Sequence, residues 1–167
     1  VSVDAEGKVI PQLGINIKRT VEIVQALWDH GYRTRVAQHG ISGTPLHLIA
    51  EKFPKGMIQK GNVATYYMLT VYDILRIYEP ELYKRIHKWV IDKFGKEGVP
   101  EVEVFVANCK RALKEFFNEF DKISDEAKEV IRARAYADTL IHMKAFGMEK
   151  TAKRVYDYIR ENNIKYW

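Results

Sequence analysis

Cysteine is nearly absent from this sequence: Cys109 is the one cysteine in 167 residues. A single thiol excludes an internal disulfide and a zinc site built from cysteines. The sequence also lacks a basic segment followed by a short apolar one, and it has no apolar run of about eighteen residues. We therefore expect a soluble, cytoplasmic protein that does not enter a membrane.

Internal repeats, low-complexity tracts and domain linkers are missing as well. The mixed stretch at 95–100 is too short to separate two domains. A chain of this length is predicted to form one domain over residues 1–167. Strands and turns are expected in residues 1–65, and helices over residues 63–167.

The charge is positive but evenly spread. Lys and Arg number 27 against 22 Asp and Glu, which gives a net charge of +5. This balance suits anionic substrates and also nucleic acid. Basic pairs such as Lys110-Arg111 lie among acids, which is typical of solvated helix faces. No basic stripe with interleaved aromatic residues is present, so we expect no nucleic-acid partner.

Two stretches share one plan, in which a short strand leads through a turn of small residues into a helix. Residues 36–45 read VAQHGISGTP, where Thr44 and Pro45 are expected to cap and open the helix. Residues 57–65 read MIQKGNVAT, with the strand over 57–60 and the turn at Gly61 and Asn62.

The chemistry of such turns favours an anion. Glycines let the backbone approach a ligand closely, and the N–H groups at a helix start carry a partial positive charge. His39 ends the first strand at the rim of its turn, and histidine is a good zinc ligand. The pattern predicts a phosphate cradle beside a metal ligand. The alternative is a pair of ordinary turns with a surface histidine, and the pattern alone leaves both open.

These residues carry a resemblance to a known family. The turn at 39–43, His-Gly-Ile-Ser-Gly, resembles the His-Gly-Gly-Ser-Gly turn of the class II, metal-dependent fructose-bisphosphate aldolases. The Phe-Pro at 53–54 is similar to a pair downstream of that turn in one sub-group. The stretch 60–65 resembles the Lys-x-Asn-x-Asp-Thr strand end of the same family. The two motifs stand in the family's order, and a looser likeness extends over the whole chain.

The resemblance implies the C-terminal part of a (β/α)8 barrel, helix-rich, with extra C-terminal helices and the turns on the C-terminal face. It implies zinc or another divalent metal, with His39 as one metal-binding histidine. The two turns would lie side by side, since successive parallel strands are neighbours. The residues implied to hold the dihydroxyacetone-phosphate half of a sugar bisphosphate are Gly40, Ser42, Gly43, Asn62 and Thr65.

The same resemblance implies one more site residue, and the sequence differs from the family motifs at two positions. Arg132 would reach the second phosphate across a dimer interface, and the alternative is an ordinary exposed helix arginine. Ile41 replaces a glycine of the family turn, so its position must accept a β-branched side chain without a positive φ. Ala64 replaces the family's aspartate, which alters the phosphate site.

A (β/α)8 barrel takes about 250 residues, more than this chain has. We therefore expect an N-terminal half of the barrel to supply the other metal ligands and the catalytic acid, and no acidic residue here is assigned that role. The implied activity is reversible aldol cleavage of a ketose bisphosphate, as in glycolysis, by a homo-oligomeric enzyme. The isolated chain is predicted to be inactive.

Two other functions remain open. The chain could be a non-catalytic aldolase-like subunit or barrel relative, because the other metal ligands are missing from it. It could also be a helical interaction module, because four or five long helices follow residue 64. The size of the native protein distinguishes the first alternative from the enzyme.

Apolar residues at spacings of three and four predict a series of helices. Their predicted bounds are 17–30, 44–53, 63–78, 80–94, 102–120, 124–146 and 149–162. The clearest apolar stripe lies in the fifth, and its members are Val102, Phe105, Val106, Cys109, Leu113, Phe116, Phe117 and Phe120. A hairpin or irregular loop is predicted at 1–10, and residues 166–167 are expected to pack back onto the chain.

The remaining histidines are not favoured as ligands. His30 is predicted at a helix end, and His87 on the surface. His142 is predicted on a helix distant from the turns. His47, in a first helical turn, is a possible but less favoured second metal ligand.

Overall fold

The computed structural model describes residues 15–165, and most of them are helical. The α-helices are α1 (Ile17–Asp29), α2 (Leu46–Lys52), α3 (Ala64–Tyr78), α4 (Pro80–Phe94), α5 (Glu101–Asn108), α6 (Ala112–Glu115), α7 (Phe117–Asp121), α8 (Asp125–Ala145) and α9 (Ala152–Glu161). The strands are β1 (Val36–Gln38) and β2 (Ile58–Gly61). The described part is thus a helix-rich α/β fold, as predicted. The predictions for residues 1–10 and 166–167 lie outside the described residues.

The two strands pair in parallel, with Val36 opposite Ile58 and Gln38 opposite Gly61. The Val36 N–H donates to the Met57 carbonyl at 2.9 Å. Both strands therefore end at the same edge of the sheet, where their turns begin.

Helix α1 leads into this sheet. The Asn16 side chain accepts the Arg19 N–H at 2.9 Å and so caps the helix, as the sequence predicts. Its other end is at His30, whose Nδ1 lies 2.8 Å from the Ala26 carbonyl oxygen. The prediction of His30 as a helix-end residue is confirmed.

The larger core lies among the helices. Helix α3 packs against α4 and α8, and α4 packs against α5. The buried members of this core are Tyr72, Leu75, Leu82, Ile86, Val90, Val104, Phe105, Cys109, Ala112, Phe116, Ile123 and Ala127. Burial of one such aliphatic or aromatic side chain contributes roughly 1.5–3 kcal/mol. This packing holds α3, and with it the turn that precedes α3.

A second, smaller core lies beneath the turns. Its buried members are Ile41, Ile49, Phe53 and Ala145, so it joins the first turn to α2 and to the end of α8. Phe146 packs edge-on against Phe53, with ring centroids 6.1 Å apart. The end of α8 is thereby fixed against the region of the turns.

The predicted continuous helix at 102–120 is wrong. The chain forms α5, then a 3-10 turn at Cys109–Arg111, then the short helices α6 and α7. The Cys109 carbonyl accepts the Ala112 N–H and also the Tyr72 hydroxyl, the latter at 2.8 Å. As a result the predicted stripe divides: Phe116 is buried, whereas Leu113 and Phe117 are exposed.

Two predicted helix starts are confirmed. Pro80 is the first residue of α4, and the Ser124 hydroxyl caps α8 by accepting the Ala127 N–H at 3.3 Å. The Ser124 N–H also donates to Glu79 at 2.7 Å, and hydrogen bonding to Ser124 lowers the pKa of this carboxyl.

The prediction of a surface His87 is wrong, because its half-buried ring stacks on Phe105 with the ring centroids 5.1 Å apart.

Within residues 15–165, no helix has the length and apolar character needed to cross a membrane.

Candidate functional site

The parallel sheet brings the two predicted turns together. The Asn62 N–H donates to the Gln38 carbonyl at 3.1 Å, so the second turn begins beside the last residue of β1. The prediction that the turns lie side by side is confirmed at this edge of the sheet. Residues separated by more than twenty positions in the chain thereby come within hydrogen-bonding distance.

The first turn depends on a glycine and on a buried isoleucine. Gly40 adopts φ +73°, a left-handed conformation that side chains with a Cβ rarely adopt. The next residue, Ile41, has no positive φ and is completely buried. The expectation that Ile41 is accepted without a positive φ is confirmed, and its side chain anchors the turn in the smaller core.

The second turn makes a close approach at Gly61. A Cβ built on Gly61 would lie 2.5 Å from Ile41 Cδ1 and 3.0 Å from Phe146 Cζ. There is no room for a side chain between the two turns and the end of α8. Glycine at position 61 therefore allows the turns to pack directly against each other.

His39 and Asn62 form the direct link between the turns. The Asn62 amide Nδ2 lies 3.1 Å from His39 Nδ1 and 3.3 Å from Nε2. An atom nearly equidistant from both ring nitrogens lies over the face of the imidazole, whereas the lone pair and the N–H of the ring lie in its plane. The Asn62 amide therefore packs on the His39 ring and leaves the in-plane positions of both ring nitrogens open to other partners.

Thr44 occupies an unexpected place. It was predicted to cap α2, but α2 begins at Leu46, and Pro45 precedes it without a side-chain cap. The Thr44 hydroxyl is buried and has no hydrogen-bond partner in the described part of the chain. The prediction of a Thr44 cap is therefore wrong, and a buried polar group is left unsatisfied next to the first turn.

The other predicted phosphate-binding residues lie within a few residues of His39 or Asn62 in the chain. Ser42 and Gly43 are half-buried in the first turn, after Gly40. Thr65 is half-buried in the first turn of α3, after Asn62. Each group follows a strand that ends at the same end of the parallel sheet.

The described residues fit one ligand of a metal site. His39 is exposed at the edge of the sheet, where a metal ion could reach it. His47 is exposed in the first turn of α2. Among residues 15–165, no three His, Cys, Asp or Glu side chains lie close enough together to hold a metal ion. A complete metal site would need ligands from beyond this part of the chain.

Arg132 lies away from the turns in sequence and is exposed on α8. Its guanidinium donates to Glu129, one turn earlier on the same helix. Surface pairs of this kind contribute little to stability. The Arg132 side chain is exposed to solvent on α8.

A buried polar cluster on α8 was not predicted. Asp138 and His142 are only 4% and 8% exposed. Arg134 Nε donates to Asp138 Oδ2 at 2.9 Å, and hydrogen bonds with Tyr66 and Asp138 raise the pKa of Arg134. His142 Nδ1 lies 2.8 Å from the Asp138 carbonyl oxygen, which can only accept, so this nitrogen carries the proton.

This cluster supports the start of α3. The Tyr66 ring packs edge-on against His142 at 5.1 Å, and the Tyr67 hydroxyl lies 3.0 Å from Thr139 Oγ1. Both tyrosines directly follow Thr65. His142, predicted on a distant helix, therefore lies beside the start of α3. The spacing of four between residues 134, 138 and 142 was the available sequence signal.

Together the fold and the site define a helix-rich α/β protein in which two strand-end turns form one polar junction. Comparison of the chain with protein-family models, with curated proteins and with solved structures finds no match. The chemistry of the junction is therefore inferred from its own residues.

Proposed function

We propose that this chain is part of a metal-dependent aldolase of the class II type. The reaction would be the reversible cleavage of a ketose bisphosphate, such as fructose 1,6-bisphosphate, to dihydroxyacetone phosphate and an aldehyde. The chain would supply one metal ligand and the phosphate site. The protein would work in the cytoplasm as a homo-oligomer.

The contact between His39 and Asn62 is the observation that carries the proposal. Each residue belongs to a separate motif of the aldolase resemblance, and the parallel sheet places their side chains 3.1 Å apart. The parallel register pairs Gln38 with Gly61, so the next residue of each motif meets the other at the end of the sheet. The contact supports a shared role in holding one substrate.

The phosphate of dihydroxyacetone phosphate would lie between the two turns. The backbone at Gly40 and Gly43 and the hydroxyls of Ser42 and Thr65 supply donors there, and donors of this kind bind phosphate oxygens well. Asn62 would orient His39 toward the metal. When bound, zinc or another divalent metal polarises the substrate ketone.

The barrel itself belongs to the proposal. Within residues 15–165, β1 and β2 pair only with each other, and parallel strands are normally part of a larger buried sheet. An N-terminal half would add strands at the free edges, the remaining metal ligands and the catalytic acid. Arg132 would act from a neighbouring protomer on the second phosphate.

The experiment replaces His39 in the complete protein. His39→Ala should remove bound zinc, measured by elemental analysis, and abolish aldol cleavage, because a first-sphere ligand is lost. His47→Ala is the matched control, since His47 is also exposed but lies on α2. It should retain both metal and activity.

A full zinc content in the His39→Ala protein would contradict the assignment. An unaltered complete protein without metal would instead favour the non-catalytic, aldolase-like alternative. The isolated 167-residue chain should show no turnover with added zinc. Robust turnover by that chain alone would refute the need for a second half.

A further inference from the structure

The first turn of α3 is held against α8 by two neighbouring tyrosines. The Tyr67 hydroxyl lies 3.0 Å from Thr139 Oγ1, and both side chains are half-buried. One residue earlier, the Tyr66 ring packs edge-on against His142 with the ring centroids 5.1 Å apart. The buried His142 ring is itself fixed by its hydrogen bond to the Asp138 carbonyl. Helix α8 therefore offers both tyrosines a well-defined surface.

The end of α8 reaches the second turn as well. A Cβ built on Gly61 would lie 3.0 Å from the ring of Phe146, the residue that follows α8. The segment from Gly61 to Tyr67 is thus in contact with this helix region at both of its ends. Asn62 and Thr65, which are proposed to bind phosphate, lie between the two contacts.

The start of α3 has no cap of its own. Val63 holds the N-cap position and provides no side-chain hydrogen bond, whereas Asn16 caps α1 and Ser124 caps α8. The N–H groups in the first turn of a helix have no partner within the helix, and they bind anions well. In α3 these groups directly follow the second turn. Contacts with α8, rather than a cap, hold them in place.

We propose that Thr139 and His142 are positioning residues for the phosphate site. Neither touches the substrate. Through Tyr67 and Tyr66 they hold Thr65 and the N–H groups of the first turn of α3 in one arrangement. This inference rests on the proposed function, which places a phosphate between the two turns. Without these contacts, binding has to order the first turn, and that cost lowers affinity.

The test measures the Kd of dihydroxyacetone phosphate on the complete protein by calorimetry. Thr139→Val keeps the size of the side chain but loses the hydrogen bond to Tyr67, so the Kd should rise about threefold to tenfold. Thr139→Ser keeps the hydroxyl and should retain the affinity. Tyr67→Phe removes the same bond from the other side. The double variant should therefore be no weaker than either single one.

A second variant tests the contact with Tyr66. His142→Asn keeps a hydrogen-bond donor near the position of Nδ1 but removes the rest of the ring. The Kd of dihydroxyacetone phosphate should rise in this variant too. An unchanged Kd in both His142→Asn and Thr139→Val would overturn the inference.

Tyr72→Phe is the matched control for a purely structural effect. Tyr72 lies in the middle of α3, and its hydroxyl donates to the Cys109 carbonyl at 2.8 Å. This variant loses a hydroxyl from the same helix as Tyr67→Phe and should also lower the melting temperature. It should leave the Kd unchanged. An equal rise of the Kd in Tyr72→Phe and Tyr67→Phe would show a general loosening of α3 and contradict a positioning role.

The remaining outcomes separate the inference from the proposed function. If dihydroxyacetone phosphate binds and neither Thr139→Val nor Tyr67→Phe alters its Kd, the positioning role of Thr139 is wrong and the proposed function stands. If the unaltered complete protein does not bind dihydroxyacetone phosphate, the proposed function and the positioning role both fail.

Discussion

The helices α3 to α7 and the two turns after β1 and β2 solve the packing problem differently. The helices enclose a large aromatic and aliphatic core, in which the Tyr72 hydroxyl is satisfied by the Cys109 carbonyl at 2.8 Å. The turns rest on a small core around Ile41, and the nearby Thr44 hydroxyl has no partner in the described chain. In the helical region a buried polar group is thus paired within the core, whereas beside the turns one is left without a partner among the described residues.

The largest expected effect concerns the thiol in the helical core. Burial raises the pKa of Cys109 to about 11 from an ordinary 9.0. At pH 8 the folded protein should therefore react with iodoacetamide at least about 100-fold more slowly than the unfolded chain, because two pKa units remove that much thiolate. Mass spectrometry with and without denaturant measures the ratio. Equal rates would mean that this core opens readily.

The same pKa shift has a signed effect on stability. The neutral thiol is favoured in the folded state, so its contribution is fully present below pH 9 and is lost as the pH rises through about 11. Cys109→Ala should reduce the alkaline loss of stability between these values. Urea titrations at pH 8 and pH 10.5 measure the free energy of unfolding of the unaltered protein and of Cys109→Ala. If both proteins lose the same stability between these pH values, the raised pKa of Cys109 is contradicted.

The contact between the turns gives the next largest effect. Gly61→Ala places a Cβ against Ile41 and Phe146 and should destabilise the protein by about 1–3 kcal/mol, since overpacking strains a filled site. Ile41→Val removes the clashing Cδ1 atom, so the double variant should recover part of the loss. Urea unfolding measures both. Strictly additive losses would show that the two turns do not touch.

The smallest effects compare one hydroxyl from each region. Tyr72→Phe leaves the Cys109 carbonyl with one partner fewer and should lower stability by about 1 kcal/mol. Thr44→Val keeps the shape but removes an unsatisfied buried hydroxyl, so it should raise stability by up to about 1 kcal/mol. Thermal unfolding of both variants measures these changes in stability. A stability loss in Thr44→Val would mean that its hydroxyl has a partner.

Local patterns were enough to predict the two strand–turn–helix stretches and most helix ends. Gly40, Pro80 and Ser124 act through their own backbone or side-chain chemistry, so their effects are visible in a short stretch of sequence. The parallel, neighbouring strands were implied by the resemblance to a barrel family and not by a local pattern. These features need no knowledge of distant contacts.

Features that depend on distant partners could not be predicted in this way. The break at Cys109 accompanies a hydrogen bond from Tyr72, which is 37 positions away. Asp138 follows Arg134 by four residues, the spacing of a solvated ion pair. Only the packing of α8 against α3 shows that this carboxylate is buried. The wrong or missing predictions therefore concern features that are set by tertiary contacts.

The most direct test of the account asks whether the two turns bind one phosphate. Dihydroxyacetone phosphate is titrated into the ¹⁵N-labelled protein, with dihydroxyacetone as the control without phosphate. The amide resonances of Gly40, Gly43, Asn62 and Thr65 should shift together and give a single Kd, and the control should shift none of them. A response confined to one turn, or different Kd values for the two turns, would contradict the central claim.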